Sequence, residues 1–259
     1  MGELDSLLPN GRGVWIPIDH GVSDYPVQGL ENLESLIQEL SQANADAIVA
    51  QKGVVSRFEH LHHGHMVAHL SVSTRHAGDD STNKILVGTV EESTRRGAAG
   101  VSVQVNMGSP NEAAMIERLG IVSNDCHRLN VPLLGMIYPR GENLNIMPDD
   151  DTKAISHAAR LAFEMGCDVV KTQWTGDASS FAKVCKSVPI PVLIAGGPSD
   201  VSIEETLSIV YQAIRAGGAG VCMGRQVFSN DHPGRVVKAL RAIVHDGLEV
   251  PDAIKVAGL

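Results

Sequence analysis

Short runs of continuous apolar residues alternate along the chain with longer stretches in which apolar residues recur every three or four positions. The runs are Val14–Asp19, Ala47–Lys52, Met66–Val72, Gly100–Asn106, Pro132–Pro139, Val169–Trp174, Pro191–Gly197 and Gly220–Arg225. Rich in Val, Ile and Leu and mostly without polar alternation, they fit strands covered on both faces. Between them, Asn32–Gln42 carries Leu33, Leu36, Ile37 and Leu40 on one helical stripe. Glu112–Leu129, Thr152–Met165, Ala178–Lys186, Ile203–Arg215 and Pro233–Val244 repeat that pattern. Gly97, Gly166 and Gly217 stand just before the next run, where a helix C-cap belongs. Strand and helix recurring every ~30 residues specify parallel βαβ units. Eight such units predict an α/β fold, a closed (β/α)8 TIM barrel, in preference to a doubly wound sheet. No linker or low-complexity stretch interrupts residues 1–259, so a single domain is expected.

Composition narrows the partners. The 259 residues are 43% hydrophobic and 20% charged, ordinary for a soluble globular chain. The formal net charge of −9 argues against nucleic acid and anionic membranes, and it means that an anionic ligand needs a locally positive pocket. No apolar run reaches the length of a membrane span, and the first residues lack a signal-peptide pattern. Cys126, Cys167, Cys185 and Cys222 show no CxxC spacing and read as reduced thiols of a cytoplasmic protein. No GxGxxG follows the first run and no GxxxxGK[ST] occurs, which argues against dinucleotide and Walker-type sites.

Active sites of such barrels are built where the strands end. Here the runs end in chemistry: Asp19-His20-Gly21, Lys52, His69-Leu70-Ser71, Asn106, Tyr138-Pro139-Arg140, Lys171-Thr172, Gly196-Gly197 and Gly224-Arg225. Lys171 lies within an apolar strand. Burial disfavours an ammonium, so its pKa is expected to fall and release a nucleophilic amine suited to Schiff-base formation. Lys52 is the rival amine, given a supporting role because an unpatterned stretch follows it. Asp19 is a candidate general base, and Tyr138 offers a phenol for proton transfer. Gly196, Gly197 and Gly224 let the backbone approach an anion, and Arg225 adds charge-assisted bonds, on the two strands where barrels commonly bind phosphate. The stretch His60-Leu-His62-His63-Gly-His65 matches no standard zinc spacing and reads as a loop or short helix. His20 and His69 are better metal candidates.

These segments carry a resemblance. Ile18-Asp19-His20-Gly21, Ala68-His69-Leu70-Ser71, Met136-Ile137-Tyr138-Pro139-Arg140-Gly141, Val170-Lys171-Thr172 with Thr175-Gly176-Asp177, Ala195-Gly196-Gly197-Pro198 and Met223-Gly224-Arg225 resemble, in order, the motifs of the archaeal-type class I (DhnA/DeoC-like) aldolases. The departures are Trp174, where a tyrosine is expected, and Gln104, where a histidine is common.

The resemblance implies a Schiff-base lysine at Lys171, an acid/base at Tyr138 and a proton shuttle at Asp19. It also implies no metal and no separate cofactor. Within the family the segments most resemble its heptulosonate synthases, which transfer a fragment of a phosphorylated ketose to L-aspartate semialdehyde. Fructose-bisphosphate aldolase and the aldolase joining dihydroxyacetone phosphate to aspartate semialdehyde are sister activities. The expected partners are thus a phosphorylated sugar and a small aldehyde, with His20, His69 and Arg140 helping to hold substrate. The family also implies a homo-oligomer built from rings of barrels, with a decamer as one form, and Pro251–Leu259 as a candidate interface segment. Three other readings stay open on the residues alone: a metal-dependent aldolase using His20, His69 and a carboxylate, a lysine-dependent thiolase, and a non-catalytic sugar-phosphate-binding barrel.

Overall fold

The computed structural model describes residues 3–146, 151–197 and 201–259. The barrel strands are β1 (Gly13–Pro17), β2 (Ala47–Ala50), β3 (His65–His69), β4 (Ala98–Met107), β5 (Leu133–Pro139), β6 (Val169–Thr172), β7 (Val192–Ala195) and β8 (Gly220–Cys222). All neighbours are parallel and follow chain order, and β8 closes onto β1 through Gly13↔Gly220, Val14↔Val221 and Trp15↔Cys222. The helices after each strand are α1 (Leu33–Gln42), α2 (Lys52–Phe58), α3 (Val90–Arg95), α4 (Glu112–Leu129), α5 (Asp151–Glu164), α6 (Ala178–Lys186), α7 (Ile203–Arg215) and α8 (Pro233–Val244).

Every apolar run is a barrel strand, but the hydrogen-bonded part is generally shorter, because the polar residues at the run ends turn away into loops. The Met66–Val72 run divides: β3 stops at His69, and Ser71–Val72 pairs antiparallel with Ile85–Leu86 outside the barrel. Two helices lack the expected stripe. The stretch after Lys52, read as unpatterned, is α2, which buries only Val55, and α3 buries only Val90 and Ser93. The signal for α3 is its cap. Thr89 accepts the Glu92 N–H at 3.1 Å, a Thr-x-x-Glu start of the capping-box kind. Asn32 and Ser202 cap α1 and α7 in the same way, accepting from Ser35 and Glu205 at 3.1 Å. Gly97, Gly166 and Gly217 take φ values of +96°, +80° and +106°, the left-handed turn expected of glycines that end helices.

Strand alternation sorts side chains into two layers. Val14, Ile16, Ile48, Val170 and Ile194 face the helices, whereas Trp15, Val49, Val67, Met136, Val169, Leu193 and Cys222 fill the barrel interior. The N-terminal segment, with helix Glu3–Leu7, adds Leu7 and Leu8 to that interior, and Trp15 Nε1 donates to the Leu7 carbonyl at 2.8 Å. At the N-terminal end of β2, buried Asp46 binds Val14 N, Arg241 Nη1 and His245 Nε2, each at 2.7 Å, and so ties the sheet to α8 and the residue after it. The helix Val250–Ala257 buries Ala253 and Ala257 and packs on α8 and α7, leaving Val256 exposed. Within Pro251–Leu259 only Ala253 and Ala257 are buried, and Pro251, Asp252, Lys255, Val256 and Gly258 are exposed. All four cysteines are free thiols. Among the described residues no helix is long and apolar enough to cross a membrane.

Candidate active site

The period of two along β6 sets Val169 in the barrel interior and Lys171 one layer above it, 7% exposed. Met136 of β5 is the register partner of Lys171, and Tyr138 stands two residues further along. Cys222 ends β8, and Asp19 begins the 3-10 turn Asp19–Val22 just beyond β1. Lys171, Tyr138, Asp19 and Cys222 share a cleft of about 360 Å³ at the C-terminal end of the barrel. His20, Arg140, Gly196, Gly197, Gly224 and Arg225 line the same cleft. His69 lies behind it, 3% exposed, its Nε2 at 3.7 Å from Asp19 Oδ2 and its Nδ1 at 2.8 Å from Ser102 Oγ.

The charge state of Lys171 corrects the expectation from sequence. Burial does pull its pKa down, but Cys222, Tyr138 and Asp19 act against that pull and leave the pKa above the usual lysine value. Burial also raises Tyr138 and pushes the Cys222 thiol up to about 11, so at neutral pH both are protonated. The negative charge that then holds the ammonium is Asp19. Burial works to raise the Asp19 pKa, yet His69, His20 and Lys171 outweigh it, and the carboxylate is held below its ordinary value. Burial lowers His69 to about 4 and lowers His20 as well, so both imidazoles are neutral at pH 7. The His20 ring packs edge-on against Phe228, with centroids 5.1 Å apart.

The ends of β7 and β8 are stitched together. The Gln226 amide donates to the Gly196 carbonyl and, at 3.0 Å, to the Gly197 carbonyl, and Arg225 Nη2 reaches the latter at 3.2 Å. Gly197 takes φ +65°, which favours glycine. A Cβ on Gly224 would lie 2.6 Å from both the Pro17 carbonyl and His20 Cε1. Gly224 caps the short helix Arg225–Phe228, whose first N–H groups have no partner within the helix. The result is a backbone-lined cradle with an exposed guanidinium at its rim, as an anionic group requires.

Other candidates fall elsewhere. Lys52 donates to the Val87 carbonyl at 2.6 Å and pairs with Glu92 at 3.3 Å, so its amine is engaged away from the cleft. Trp174 packs on Phe181 outside the barrel interior. His60 lies in a 3-10 turn and His65 opens β3. Among the described residues no group of three His, Cys, Asp or Glu side chains is placed to hold a metal ion, the His20–His69–Asp19 grouping included. Sequence reading missed Lys84 and gave Asn106, the end of its run, no role in the site. Lys84 follows an irregular polar stretch and lines the cleft, and Asn106, 2% exposed, accepts the Arg140 Nε–H at 2.9 Å. The departure at Gln104 belongs to the same network, its amide donating to Asn106 Oδ1 at 2.8 Å.

Comparison with known proteins gives the family. Residues 14–230 match the DeoC/LacD family aldolases. The chain is 39% identical over 259 residues to the 2-amino-3,7-dideoxy-D-threo-hept-6-ulosonate synthase of Halobacterium salinarum, covering 99% of this chain and 96% of the relative. It is also 39% identical over 235 residues to the 2-amino-4,5-dihydroxy-6-oxo-7-(phosphonooxy)heptanoate synthase of Streptomyces griseus, covering 89% and 84%. Among solved structures, a Schiff-base-forming fructose-1,6-bisphosphate aldolase superposes with a TM-score of 0.83 at 25% identity, covering 94% of this chain and 98% of that one. The chain belongs to the DeoC/LacD family of aldolases.

Proposed function

We propose that the protein is a class I aldolase or transaldolase that forms a Schiff base between Lys171 and a phosphorylated ketose donor and passes the resulting fragment to an aldehyde acceptor. The observation that carries this reading is the buried Lys171 amine at the end of β6, in one cleft with Asp19 and Tyr138. Both curated relatives are named for seven-carbon products with an amino group at C2, a carboxylate at C1 and a ketone at C6. An aldol bond lies between the carbons α and β to the ketone, here C5 and C4. Cutting it leaves a four-carbon fragment with the carbons of aspartate semialdehyde and a three-carbon ketone. L-aspartate semialdehyde is accordingly the acceptor we favour. Identity is equal to relatives of both names, so the choice between a 7-phosphorylated and a 7-deoxy product rests on the donor pocket.

The donor phosphate docks on the Gly196, Gly197 and Gly224 backbone and Arg225, which brings the ketone to Lys171 as an oriented partner. Lys171 passes a proton to Asp19, and the free amine attacks the carbonyl carbon. Asp19 returns the proton to the carbinolamine hydroxyl, which leaves as water. The iminium that remains is an electron sink. When a larger ketose is cleaved, departure of the aldehyde gives the enamine; from a three-carbon ketone, the ionised Asp19 carboxylate takes the neighbouring proton to give it. In the cleavage direction Tyr138 takes the hydroxyl proton of the departing aldehyde. In synthesis the enamine attacks the acceptor aldehyde, and the protonated Tyr138 phenol supplies the proton to the new alkoxide. Hydrolysis of the product iminium regenerates Lys171. His20 lines the donor end and His69 backs Asp19. The covalent chemistry asks for no metal.

The test is reductive trapping. The protein is incubated with dihydroxyacetone phosphate, reduced with borohydride and mapped by peptide mass spectrometry. The expected result is one adduct, on Lys171 and indifferent to EDTA. An unmodified Lys171, or an adduct on Lys52 or Lys84 instead, overturns the assignment.

A further inference from the structure

We propose that Lys84 is a substrate-binding residue of this cleft. With Arg140 it grips the anionic far end of the acceptor aldehyde, and Asn106 sets the separation of the two cations. This rests on the aldolase reading and deepens it by naming what selects the acceptor.

Lys84 and Arg140 come from the rim above β3 to β5, whereas the glycine cradle and Arg225 come from β7 and β8 on the other side of the barrel. Lys171, on β6, lies between. A substrate spanning the cleft thus meets cations at both ends with the reacting carbon in the middle. Lys84 is half-buried, and its ammonium makes no ion pair among the described residues. Burial and the neighbouring Arg140 lower its pKa, and the Asp19 carboxylate offsets only part of that. Two like charges kept side by side in a half-buried cleft destabilise one another, and an anion between them relieves the repulsion.

The arrangement is built. The Asn106 amide donates to the Thr82 carbonyl at 2.6 Å and accepts from Arg140 Nε at 2.9 Å, so one buried side chain fixes the Lys84 loop and the guanidinium together. Gln104 orients that amide from below. From α4, Arg118 Nη1 donates to Asn83 Oδ1 at 2.6 Å and to the Lys84 carbonyl at 2.9 Å. The Lys84 backbone is therefore clamped from two sides while its ammonium is left to the cleft. Arg140 also stacks over Tyr138, 4.8 Å from the ring centroid, which couples the anion grip to the proton-transferring phenol. The ligand class is an aldehyde carrying a carboxylate or a phosphate away from its carbonyl.

The experiment measures steady-state constants of Lys84→Gln, Lys84→Arg and Asn106→Ala with three acceptors: aspartate semialdehyde, glyceraldehyde 3-phosphate and neutral glycolaldehyde. In Lys84→Gln the KM for the carboxylate- and phosphate-bearing acceptors rises about tenfold or more, as loss of one charge-assisted bond predicts. The KM for donor and for glycolaldehyde stays within about twofold. Lys84→Arg recovers most of the loss, and Asn106→Ala reproduces it. A larger loss with aspartate semialdehyde identifies a carboxylate grip, and a larger loss with glyceraldehyde 3-phosphate a phosphate grip. Equal losses with charged and neutral acceptors, or no loss, overturn the proposal. Failure of the wild-type protein to give a trapped Lys171 adduct overturns the aldolase reading itself, before Lys84 is in question.

Discussion

Tyr138 stands two residues beyond Met136, the register partner of Lys171, so its phenol overhangs the buried amine across one strand gap. That relationship separates two chemical duties in the cleft. Attack on the donor ketone needs the amine and a proton shuttle at Asp19. The carbon–carbon step needs a proton source at the new alkoxide. Tyr138→Phe should therefore still be trapped by borohydride on Lys171, while kcat for bond formation falls by about 100- to 10,000-fold. Loss of trapping together with turnover would move Tyr138 into the first half-reaction.

Asp19 is the negative charge that holds the Lys171 ammonium at neutral pH, because burial keeps Tyr138 and Cys222 protonated. Removing it leaves burial to act on Lys171, and burial lowers an amine's pKa. Asp19→Asn should then shift the pH profile of borohydride trapping toward lower pH. The absolute rate should still fall, by about 100-fold or more, because the proton relay through the carbinolamine is gone. A profile that keeps its midpoint would show that Asp19 does not govern the amine.

The glycine at 224 is a clearance as much as a turn. A Cβ there meets the Pro17 carbonyl and His20 Cε1 at 2.6 Å, and a backbone oxygen cannot step aside as a side-chain end can. Gly224→Ala should displace the β8 end from the donor cradle and raise the KM for a phosphorylated donor by about tenfold. A neutral ketone donor should be affected much less. Equal losses for both would indicate general damage to the cleft.

The barrel was legible in the apolar runs because parallel strands covered on both faces leave a continuous hydrophobic trace. Their polar ends located Asp19, Tyr138, Arg140, Lys171 and the two glycine turns. What the sequence hid had physical reasons. Helices α2 and α3 bury one or two side chains each, too few for a periodic signal. Lys84 sits on no strand end; it reaches the cleft because Asn106 and Arg118 fold its loop inward. The direction of the Lys171 pKa is hidden because burial is local to the strand, whereas the carboxylate that opposes it lies 152 positions away in the chain, 171 against 19.

Asp46 concentrates stability at the far end of the barrel. Its carboxylate is 7% exposed and takes hydrogen bonds from Val14, Arg241 and His245. Burial works to raise its pKa, and those partners more than offset that, leaving it lowered. Asp46→Ala strands a guanidinium and a backbone N–H in partly buried surroundings, and breaking a buried pair costs ~3–5 kcal/mol. Chemical denaturation should show that loss. The KM for donor and acceptor should hold at wild-type values, because this end of the barrel faces away from the cleft.

His62 predicts how stability responds to acid. The residue is 7% exposed, and neither ring nitrogen has a hydrogen-bond partner among the described residues. Burial, with His65 and His63 nearby, lowers its pKa from 6.5 to about 4. Below pH 6.5 the unfolded chain therefore binds a proton that the folded chain refuses until about pH 4. Stability contributed by the neutral ring is fully present above pH 6.5 and is lost as pH falls through that window. At pH 5 the loss from this one ring is about 2 kcal/mol, and near pH 7.5 it is close to zero. His62→Leu removes the titration while keeping an apolar volume in the site. Its stability relative to wild type should then be about 2 kcal/mol greater at pH 5 than at pH 7.5. The lowered His69 responds in the same window but is common to both proteins, so it cancels in the difference. Denaturant titrations at the two pH values measure that difference directly, and an identical offset at both would mean that the His62 ring finds a proton partner in the folded chain.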